Sequence, residues 1–425
     1  MEASDAVASH STVGVKRLRD EGPEEEEAAR REDAIREFIT RIEPHWLTRS
    51  NVERRNVDSL SHAEFVERYE QPGVPVILTG MVGKWAASTD WTRARLLERF
   101  GDVEFRVSAN VDMTLKDYLA YADKVGTFGH REERPLYLFD KDFCRKCPEM
   151  AGEFDIPAYF SQDLMSVLGE RRPDYKWLII GPRGAGSSFH VDPNENFAWN
   201  ATISGRKKWV FYPPDCPPPT TAEDEHQLCL PRWFREHYDG DEHAGVRLEC
   251  ITGAGECMYV PRGWWHCVLN LELCVAITHN VVTQNNLQPA LDFLEHTATC
   301  APGEGCRGAE KFNLSGDVPA TVIFPYPSLT QTNARPAACS AVRAEGGEKP
   351  GVAGGADEAA EQIDCTCSRK RRELCRELRA GLERDHPELI AELISKRESR
   401  AAAAPSALAS VVKADAGQSS FSFGF

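Results

Sequence analysis

A chain of 425 residues is long enough for two or three domains, and it can bury a hydrophobic core without disulfide support. Its 50 basic and 66 acidic residues give a net charge of -16, which excludes a broad positive surface for nucleic-acid backbones. No apolar run reaches the roughly 18 residues of a membrane span, and the N-terminus lacks the layout of a signal peptide. The sequence therefore predicts an intracellular, soluble protein.

The 14 cysteines stand at irregular spacings, several of them inside apolar, strand-like runs where a free thiol behaves as a small hydrophobic group. This pattern fits a reducing compartment. Cys144 and Cys147 form a CxxC pair, but no second pair follows at zinc-finger spacing. We therefore interpret both cysteines as structural rather than as metal ligands.

Residues 1–33 are acidic and nearly free of large apolar side chains, so they cannot bury enough surface to offset the entropy of ordering. We expect this N-terminal region to be disordered. Residues 34–133 show a mixed α/β pattern, with a helix around 60–69, an apolar strand at 74–78 and a helix around 93–100. This segment is predicted to pack on the core that follows.

Residues 134–297 are predicted to form the main domain. Between Trp177 and Thr283, strand-like runs alternate with Gly/Pro turns, namely WLIIGPRG, SFHVD, FAWNATISGRKKWVFYPP, GECMYVPRG, WWHCVLNL and CVAITHNVV. This density of strand signals predicts a compact β-barrel or sandwich. Residues 284–297 carry a leucine stripe at helical spacing, and we expect this helix on the outside of the core.

The C-terminal third changes in composition. Residues 298–367 are rich in Ala, Gly, Glu and Asp and predict a low-complexity linker. Residues 368–400 predict a charged helix, which Pro387 divides because proline lacks the amide hydrogen. We interpret it as a solvated or partner-docking helix, and the alternative is a basic helix that binds nucleic acid. Residues 401–425 are predicted to be a disordered tail.

Candidate metal ligands concentrate in the strand-rich region. His190 and Asp192 are two apart on a strand, so their side chains leave the same face and can reach one ion. The spacing alone is weak evidence, because His237 and Asp239 repeat it in a polar run. His266 is a third candidate, although a core histidine bonded to a backbone carbonyl is the alternative. Two imidazoles and one carboxylate can hold non-haem Fe(II) and leave positions open for a co-substrate and dioxygen.

An iron of this type needs a co-substrate that supplies electrons, and 2-oxoglutarate serves if a cation binds its distant carboxylate. Lys207 shares strand parity with Trp209, which we expect to face inward, whereas Lys208 is expected to point outward. Parity alone leaves the choice between the lysines open, and a surface lysine is the alternative for Lys207. Thr278 and Asn280 share one face of the last strand and offer a hydroxyl and an amide to a carboxylate.

Two long runs, SFHVDPNENFAWNATISGRKKWVFYPP and ECMYVPRGWWHCVLNLELCVAITHNVV, resemble the Jumonji-C (JmjC) family of Fe(II)/2-oxoglutarate-dependent oxygenases. The runs RYEQPGVPVILTG, RPLYLFD and GWWHCVLNL are similar to the subfamily of bifunctional arginine demethylases and lysyl hydroxylases, once described as phosphatidylserine receptors. The resemblance covers residues 44–297. It implies a mainly β fold with flanking helices around a double-stranded β-helix core of the cupin-like, jelly-roll type.

The resemblance also implies a role for each matching residue. The implied iron ligands and catalytic residues are His190, Asp192 and His266. The implied 2-oxoglutarate-binding residues are Lys207, Thr278, Asn200, Ser187 and Asn280. The implied substrate-pocket residues are Tyr137, Trp177, Trp265 and Asn270.

Three features depart from the family pattern. His279 stands where the family usually has glutamine, the serine-rich C-terminal tract is missing, and the insert at residues 213–247 differs in length and content. Strand alternation puts His279 on the opposite face from Thr278 and Asn280, so we interpret it as a structural residue. These departures bear on substrate choice and nuclear targeting rather than on iron chemistry.

The resemblance implies a protein oxygenase that uses Fe(II), 2-oxoglutarate and dioxygen and releases succinate and carbon dioxide. We favour hydroxylation of lysine in a basic protein, such as a histone tail or an Arg/Lys/Ser-rich protein, because the chain is acidic. Demethylation of N-methyl-arginine or N-methyl-lysine by the same site is the first alternative. A non-catalytic cupin-like binding protein is the second, and the intact ligand set argues against it.

Two short basic clusters bear on the compartment. VKRLRD near the start and SRKRR at 368–372 have the composition of nuclear import signals, so the nucleus is predicted, with the cytoplasm as the alternative. No membrane partner is predicted. Direct nucleic-acid binding is expected, if at all, only through residues 368–400.

Overall fold

The computed structural model describes residues 41–108, 111–127, 134–219, 230–295, 366–396 and 399. The predictions of disorder for residues 1–33 and 401–425 lie outside these ranges. The predicted linker at 298–367 also lies outside them, apart from its last two residues, which belong to a helix.

The described residues form thirteen strands in two sheets. The strands are β1 (Glu53–Asn56), β2 (Val76–Thr79), β3 (Glu104–Val107), β4 (Val111–Thr114), β5 (Leu138–Asp140), β6 (Lys176–Gly181), β7 (Gly186–His190), β8 (Phe197–Ser204), β9 (Lys207–Tyr212), β10 (Leu248–Thr252), β11 (Cys257–Val260), β12 (Trp265–Asn270) and β13 (Cys274–Val281). The larger sheet has the order β1-β2-β11-β8-β13-β6-β5-β3-β4, and the smaller sheet has the order β10-β9-β12-β7.

The last eight strands, β6 to β13, form the core, four in each sheet. Side chains from the inner faces of both sheets pack in one cluster, in which Met258 and Val260 of the larger sheet meet Trp209 and Phe211 of the smaller one. This arrangement confirms the predicted double-stranded β-helix fold. The sequence analysis missed β10, whose run LECIT follows the insert at 213–247 directly.

The N-terminal segment extends the larger sheet as well as packing on it. Strand β1 pairs in parallel with β2, and β2 pairs antiparallel with β11 of the core. At the opposite edge of the larger sheet, β5 pairs with β6, β3 pairs with β5, and β4 pairs with β3. The predicted boundary between residues 133 and 134 stays a prediction, since strands from both sides of it share one sheet.

Besides a helical stretch at 387–396, eight α-helices flank the sheets in the described residues, and no helix there is long and apolar enough to cross a membrane. They are α1 (His62–Phe65), α2 (Ala87–Asp90), α3 (Arg93–Phe100), α4 (Leu115–Thr127), α5 (Phe143–Lys146), α6 (Leu230–Glu236), α7 (Leu287–Glu295) and α8 (Thr366–Asp385). A π-helical turn, Val66–Glu70, continues α1. Shorter 3-10 turns lie at Pro44–Leu47, Val57–Ser59, Val82–Lys84, Pro148–Gly152, Ala158–Phe160, Leu164–Arg171 and Pro193–Glu195.

Helix α3 illustrates why these segments are helical where the pattern predicts them. The side chain of Thr92 accepts a hydrogen bond from the amide of Arg95 and caps the helix. Leu96 and Phe100, four residues apart, form its buried stripe against the core. The predicted helices at 60–69, 93–100 and 284–297 are therefore present, with α1 passing into the π-helical turn.

The predicted C-terminal helix packs on α7 and on the turn Leu164–Arg171, which corrects its interpretation as a solvated or partner-docking helix. Helix α8 ends at Asp385, and the chain is helical again over 387–396, so Pro387 divides the helix as predicted. Leu378 and Leu382 are buried against α7 and the turn Leu164–Arg171. Arg379 bonds Glu295 at 3.0 Å, which adds a charged contact to this apolar interface.

A buried ion cluster lies on the outer face of the smaller sheet. The ammonium of Lys208 lies 2.6 Å from the carboxylate of Glu249, which also accepts hydrogen bonds from Arg247 and Tyr238. Burial lowers the pKa of Lys208, and the nearby Glu249 opposes this shift. Lys208 also donates to the carbonyl of Arg49, in the N-terminal segment that covers the cluster.

This cluster shows that the side chain of Lys208, which points outward from the core as expected, is covered by the protein. Lys208 does lie on the opposite face of β9 from Lys207, but its side chain is fully buried. The sequence pattern shows the face of a residue without showing what covers that face. The N-terminal segment, distant in sequence, provides the cover here.

We expect Lys208→Ala to lower the free energy of unfolding by about 1.5–3 kcal/mol, because it removes a charged hydrogen bond to the buried carboxylate of Glu249, which keeps Arg247 as a partner. Urea denaturation of the full chain measures this loss. Arg206→Ala is the matched control, because Arg206 is exposed and should change stability by only about 0.5 kcal/mol or less. If the two variants were equally stable, the buried pair would contribute no more to the free energy of unfolding than the exposed Arg206 does.

Candidate metal centre and co-substrate pocket

The three predicted ligands meet at one end of the core. His190 ends β7, Asp192 follows two residues later, and His266 stands near the start of β12, directly opposite His190 in the strand pairing. The candidate donor atoms of all three lie within 4.8 Å of one another. In the described residues, this set is the group of His, Cys, Asp or Glu side chains found close enough to hold a metal ion.

Backbone carbonyls set the orientation of both imidazoles. Nδ1 of His190 lies 2.8 Å from the carbonyl oxygen of Ser188, and Nδ1 of His266 lies 3.1 Å from that of Trp264. Because a carbonyl only accepts, each Nδ1 must carry the hydrogen, and the lone pair is on Nε2. Histidines that bind metals commonly have this second contact, which fixes the tautomer.

The carboxylate of Asp192 fits a site that a cation completes. Its Oδ2 atom is buried and has no hydrogen-bond partner. Burial raises the pKa of Asp192 above its usual value, although His190 and a hydrogen bond with Asn280 oppose the shift. Burial and the neighbouring His190 lower the pKa of His266 well below the usual value. Two imidazoles whose Nδ1 atoms are held by carbonyls and one buried carboxylate oxygen fit the predicted Fe(II).

Aromatic side chains hold His266 in place. The rings of Trp209 and Phe211 stack on each other at 5.7 Å, and both also lie nearly parallel to the His266 ring, at 6.2 and 5.9 Å. The three residues share the inner face, because His266 pairs with Phe211 across β12 and β9. This apolar wall restricts the imidazole and explains its burial.

Lys207 projects into the same interior, as the parity argument predicts. It is 1% exposed, and its Nζ lies 3.4 Å from the hydroxyl of Tyr137. No carboxylate of the described residues lies within ion-pair distance of this ammonium, and burial lowers the pKa of Lys207. A buried cation without an anion is unfavourable, so the pocket fits an anionic ligand such as a 2-oxoglutarate carboxylate.

Other predicted pocket residues line the same interior. Thr278 pairs with Asn200 on one side and with Trp177 on the other, so these three side chains share a face. Asn270 pairs with Lys207 across the smaller sheet. The side-chain oxygens of Asn200 and Asn270 are buried without a partner, which leaves polar atoms available to a ligand.

Two further predicted residues lie at the ends of this interior. Ser187 of β7 pairs with Val268 of β12. The pairing of these two strands shifts register between Val268 and His266. This irregularity lets Ser187 and His190, three residues apart, face the same side. Asn280 interacts with Asp192 and connects the last strand to the ligand set.

Gly181 makes room for the pocket. A Cβ atom at this position would come within 2.5 Å of Tyr137 and of Asn270. These are two residues that sequence reasoning assigns to the pocket, one near Lys207 and one paired with it. Glycine therefore allows both side chains to reach the interior.

Trp265 is the exception among the predicted pocket residues. It pairs with Tyr212, and it packs against the hydrophobic cluster on the outer face of the smaller sheet that includes Tyr212 and Trp233. Side chains alternate along a strand, so Trp265 and His266 must face opposite sides. This position corrects the prediction that Trp265 lines the substrate pocket.

His279 also faces away from the pocket, as the alternation predicts. It is buried next to Trp199 and Tyr175, and its Nε2 lies 3.5 Å from the carboxylate of Asp163. Burial lowers the pKa of His279, and Asp163 opposes the shift.

The second HxD pair, His237 and Asp239, is separate from the site, because Asp239 lies at the surface and bonds His45 at 3.2 Å.

A family model described as a cupin-like domain matches residues 62–284, which is more than half of the chain. The chain belongs to this family. The match includes His190, Asp192, His266 and Lys207, and it agrees with the two-sheet core. The predicted resemblance to cupin-like JmjC proteins is thereby confirmed.

Curated relatives share this part of the chain. Arginine-specific demethylase JMJ22 of Arabidopsis thaliana is 46% identical over 261 residues, which cover 60% of this chain and 50% of that protein. Bifunctional arginine demethylase and lysyl-hydroxylase psr-1 of Caenorhabditis elegans is 32% identical over 259 residues, 56% of this chain and 63% of that protein. The 2-oxoglutarate and iron-dependent oxygenase JMJD4 of Homo sapiens is 30% identical over 264 residues, 56% and 63% of the two chains. The matched region thus spans between half and two thirds of each relative.

Sequence reasoning missed two residues beside the metal ligands. Glu195 and Arg262 are 67 positions apart, yet they form an ion pair between the segment after Asp192 and the turn before His266. The signal in the sequence was weak, because each residue looks like an ordinary surface charge. Only the strand pairing brings the two segments together.

We expect Asp192→Ala to abolish binding of Fe(II), because the variant keeps two neutral imidazoles but loses the one anionic ligand. The core should stay folded, since Asp192 lies outside the paired strands and its loss removes a hydrogen bond with Asn280 but no strand pairing. Metal titration and circular dichroism test both statements. His237→Ala and Asp239→Ala have the same HxD spacing and should bind iron normally. Normal iron binding by Asp192→Ala would disprove its assignment.

We expect Lys207→Ala to raise the 2-oxoglutarate concentration needed for half-saturation by roughly a hundred- to a thousandfold, the equivalent of about 3–5 kcal/mol for an unpaired buried carboxylate. Thr278→Val should cost about tenfold, because it removes one neutral hydroxyl. Titration of 2-oxoglutarate by calorimetry measures both. Arg206→Ala removes an exposed neighbouring cation and should leave the affinity unchanged. An equal loss of 2-oxoglutarate affinity in Lys207→Ala and Arg206→Ala would contradict the assignment of Lys207.

Proposed function

We propose that this protein is an Fe(II)- and 2-oxoglutarate-dependent oxygenase that acts on protein side chains. The proposal rests on one observation: a buried lysine without a carboxylate partner among the described residues lies in the same interior as three candidate metal ligands. Lys207 is buried without an anion in the interior into which His190, Asp192 and His266 also project. Lys208, the next residue, has its own buried carboxylate, so burial of a lone cation is specific to the pocket side.

Two groups of residues that face the core interior would have separate tasks. His190, Asp192 and His266 would hold the metal, and Lys207 with Thr278 would bind the far carboxylate of the co-substrate. When bound, iron and 2-oxoglutarate supply the activation of dioxygen. The stacked rings of Trp209 and Phe211 would keep water away from His266.

The overall reaction balances with one co-substrate. 2-Oxoglutarate, dioxygen and a substrate C–H group give succinate, carbon dioxide and a C–OH group. We propose hydroxylation of a lysine side chain as the first candidate, because the acidic chain suits a basic protein segment, such as a histone tail or an Arg/Lys/Ser-rich protein. The relative psr-1, whose name includes lysyl-hydroxylase, supports this choice.

Demethylation of N-methyl-arginine is the second candidate. The same hydroxylation on an N-methyl group gives an unstable product, which releases formaldehyde and leaves the nitrogen with a hydrogen. The 46% identity to a relative named arginine-specific demethylase favours this candidate. A purely binding role is less favoured, because such a role has no need for the three ligands and an unpaired Lys207 together.

We also propose the nucleus as the compartment, on one of the two basic clusters. SRKRR lies at the start of α8, where Arg371 is buried over the ring of Phe293. An import factor needs access to such side chains, so this cluster supports the proposal poorly. The proposal therefore rests on VKRLRD, which lies outside the described residues. Direct nucleic-acid binding is not part of the proposed function.

Mass spectrometry of basic peptides tests the reaction and separates the two candidates. The full chain is incubated with Fe(II), ascorbate, 2-oxoglutarate and either a lysine-containing or an N-methyl-arginine-containing peptide. Hydroxylation should add one oxygen to the first peptide, whereas demethylation should remove one methyl group from the second. Succinate should accumulate with the modified peptide, because each turnover consumes one 2-oxoglutarate.

Two controls complete the experiment. Chelation of iron or the Asp192→Ala substitution should remove both products, because each eliminates the metal site. His237→Ala should retain full turnover, since His237 stands outside the ligand set. Absence of succinate and of peptide modification with the wild-type chain would favour the binding-protein alternative.

A further inference from the structure

The segment between Asp192 and β8 has an unusual backbone. Asn194 and Glu195 both have left-handed φ angles, 57° and 56°, and they are the two non-glycine residues with positive φ in the described part of the chain. Asn tolerates this region because its side chain is short, but Glu rarely adopts it. Strain of this kind persists only when the surroundings fix it, and it is common near functional sites.

Two contacts hold Glu195 in this conformation. Its carbonyl oxygen accepts a hydrogen bond from the Asn286 side chain at 3.0 Å, and Asn286 itself accepts one from the amide of Thr283 at 2.7 Å. Asn286 is buried, so its amide group is fixed in position. The carboxylate of Glu195 makes a close ion pair with the guanidinium of Arg262.

Arg262 belongs to the turn that leads into the third ligand. Two residues on, the carbonyl oxygen of Trp264 accepts the Nδ1 hydrogen bond that orients His266. The indole of Trp264 donates to the carbonyl of Gly73 at 2.8 Å, which ties the same turn to the N-terminal segment. Glu195 and Arg262 thus connect the segment carrying Asp192 with the turn that orients His266.

We propose that Glu195 and Arg262 are positioning residues, which hold Asp192 and His266 at the separation that one metal ion requires. The inference rests on the proposed function in that it assumes a divalent metal at His190, Asp192 and His266. Neither residue belongs to the ligand set. They act through the backbone of the two segments that they join.

The expected effect is moderate because the pair is partly exposed. The Glu195 side chain is 34% exposed and that of Arg262 is 45% exposed, so solvent and salt screen their attraction. We expect loss of either charge to weaken metal affinity about two- to fivefold. Glu195→Gln and Arg262→Gln remove the same interaction. A variant with both of these substitutions should therefore lose no more metal affinity than either single variant.

The test measures binding of Mn(II) alone, without 2-oxoglutarate, to the full chain. Electron paramagnetic resonance of free Mn(II) gives the dissociation constant for wild type, Glu195→Gln, Arg262→Gln and the charge-reversed double variant Glu195→Arg/Arg262→Glu. We expect both single variants to bind two- to fivefold more weakly and the reversed pair to recover most of the loss. The difference should shrink between about 0.01 M and about 1 M salt, as the screening length falls.

Lys84→Gln is the matched control, because Lys84 and Asp58 form an exposed ion pair at 3.1 Å between two other segments. This variant should bind Mn(II) as wild type does. Melting temperatures without metal separate positioning from folding, and the two single variants should stay within about 2–4 °C of wild type. Affinity equal to that of the control, or no recovery in the reversed pair, would overturn the inference. If wild type itself fails to bind Mn(II), the proposed metal site is wrong and the inference falls with it.

Discussion

The register of strand β12 between its two neighbours is the constraint on which the candidate site depends. On one side, β12 places His266 opposite His190 of β7, and on the other side it places His266 opposite Phe211 of β9. The first pairing brings two ligands together, and the second supplies the aromatic wall. A slip of one residue would move every side chain of β12 to the other face, and the ligand set would be lost.

The interior of the core tolerates polar groups that an ordinary hydrophobic core excludes. Burying a cation is unfavourable in free energy, and the two adjacent lysines of β9 differ in the group that each contacts. Lys208 is neutralised by Glu249 under the N-terminal segment, whereas Lys207 contacts the neutral hydroxyl of Tyr137. Contacts within the protein thus account for the burial of Lys208, and the proposed co-substrate carboxylate would account for that of Lys207.

Much of the fold and of the ligand set could be predicted from the sequence because the signals are local. Strand alternation and the turn before His266 indicated the inner face, and the leucine stripe at 284–297 indicated helix α7. Parity also placed Lys207 and Lys208 on opposite faces of one strand, without deciding which of them faces inward. The resemblance to JmjC proteins added Tyr137, which alternation alone does not single out.

The features that could not be predicted depend on contacts between distant segments. Glu249 neutralises Lys208 only because β10 lies beside β9, and β10 itself was missed next to the insert. Trp265 was assigned to the pocket from its resemblance, although alternation along β12 places it outside. Charged residues such as Glu195 carry no sign in the sequence of the partner that folding brings to them.

Pairing between β2 and β11 has a consequence for handling the protein in pieces. The core strands β6 to β13 all follow residue 134, so a fragment that starts there contains all eight of them. Such a fragment would expose one edge of β11, whose backbone groups otherwise bond to β2. A bare edge with hydrophobic side chains recruits strands from other molecules. Solubility of the core therefore depends on a segment that contributes no residue to the metal centre.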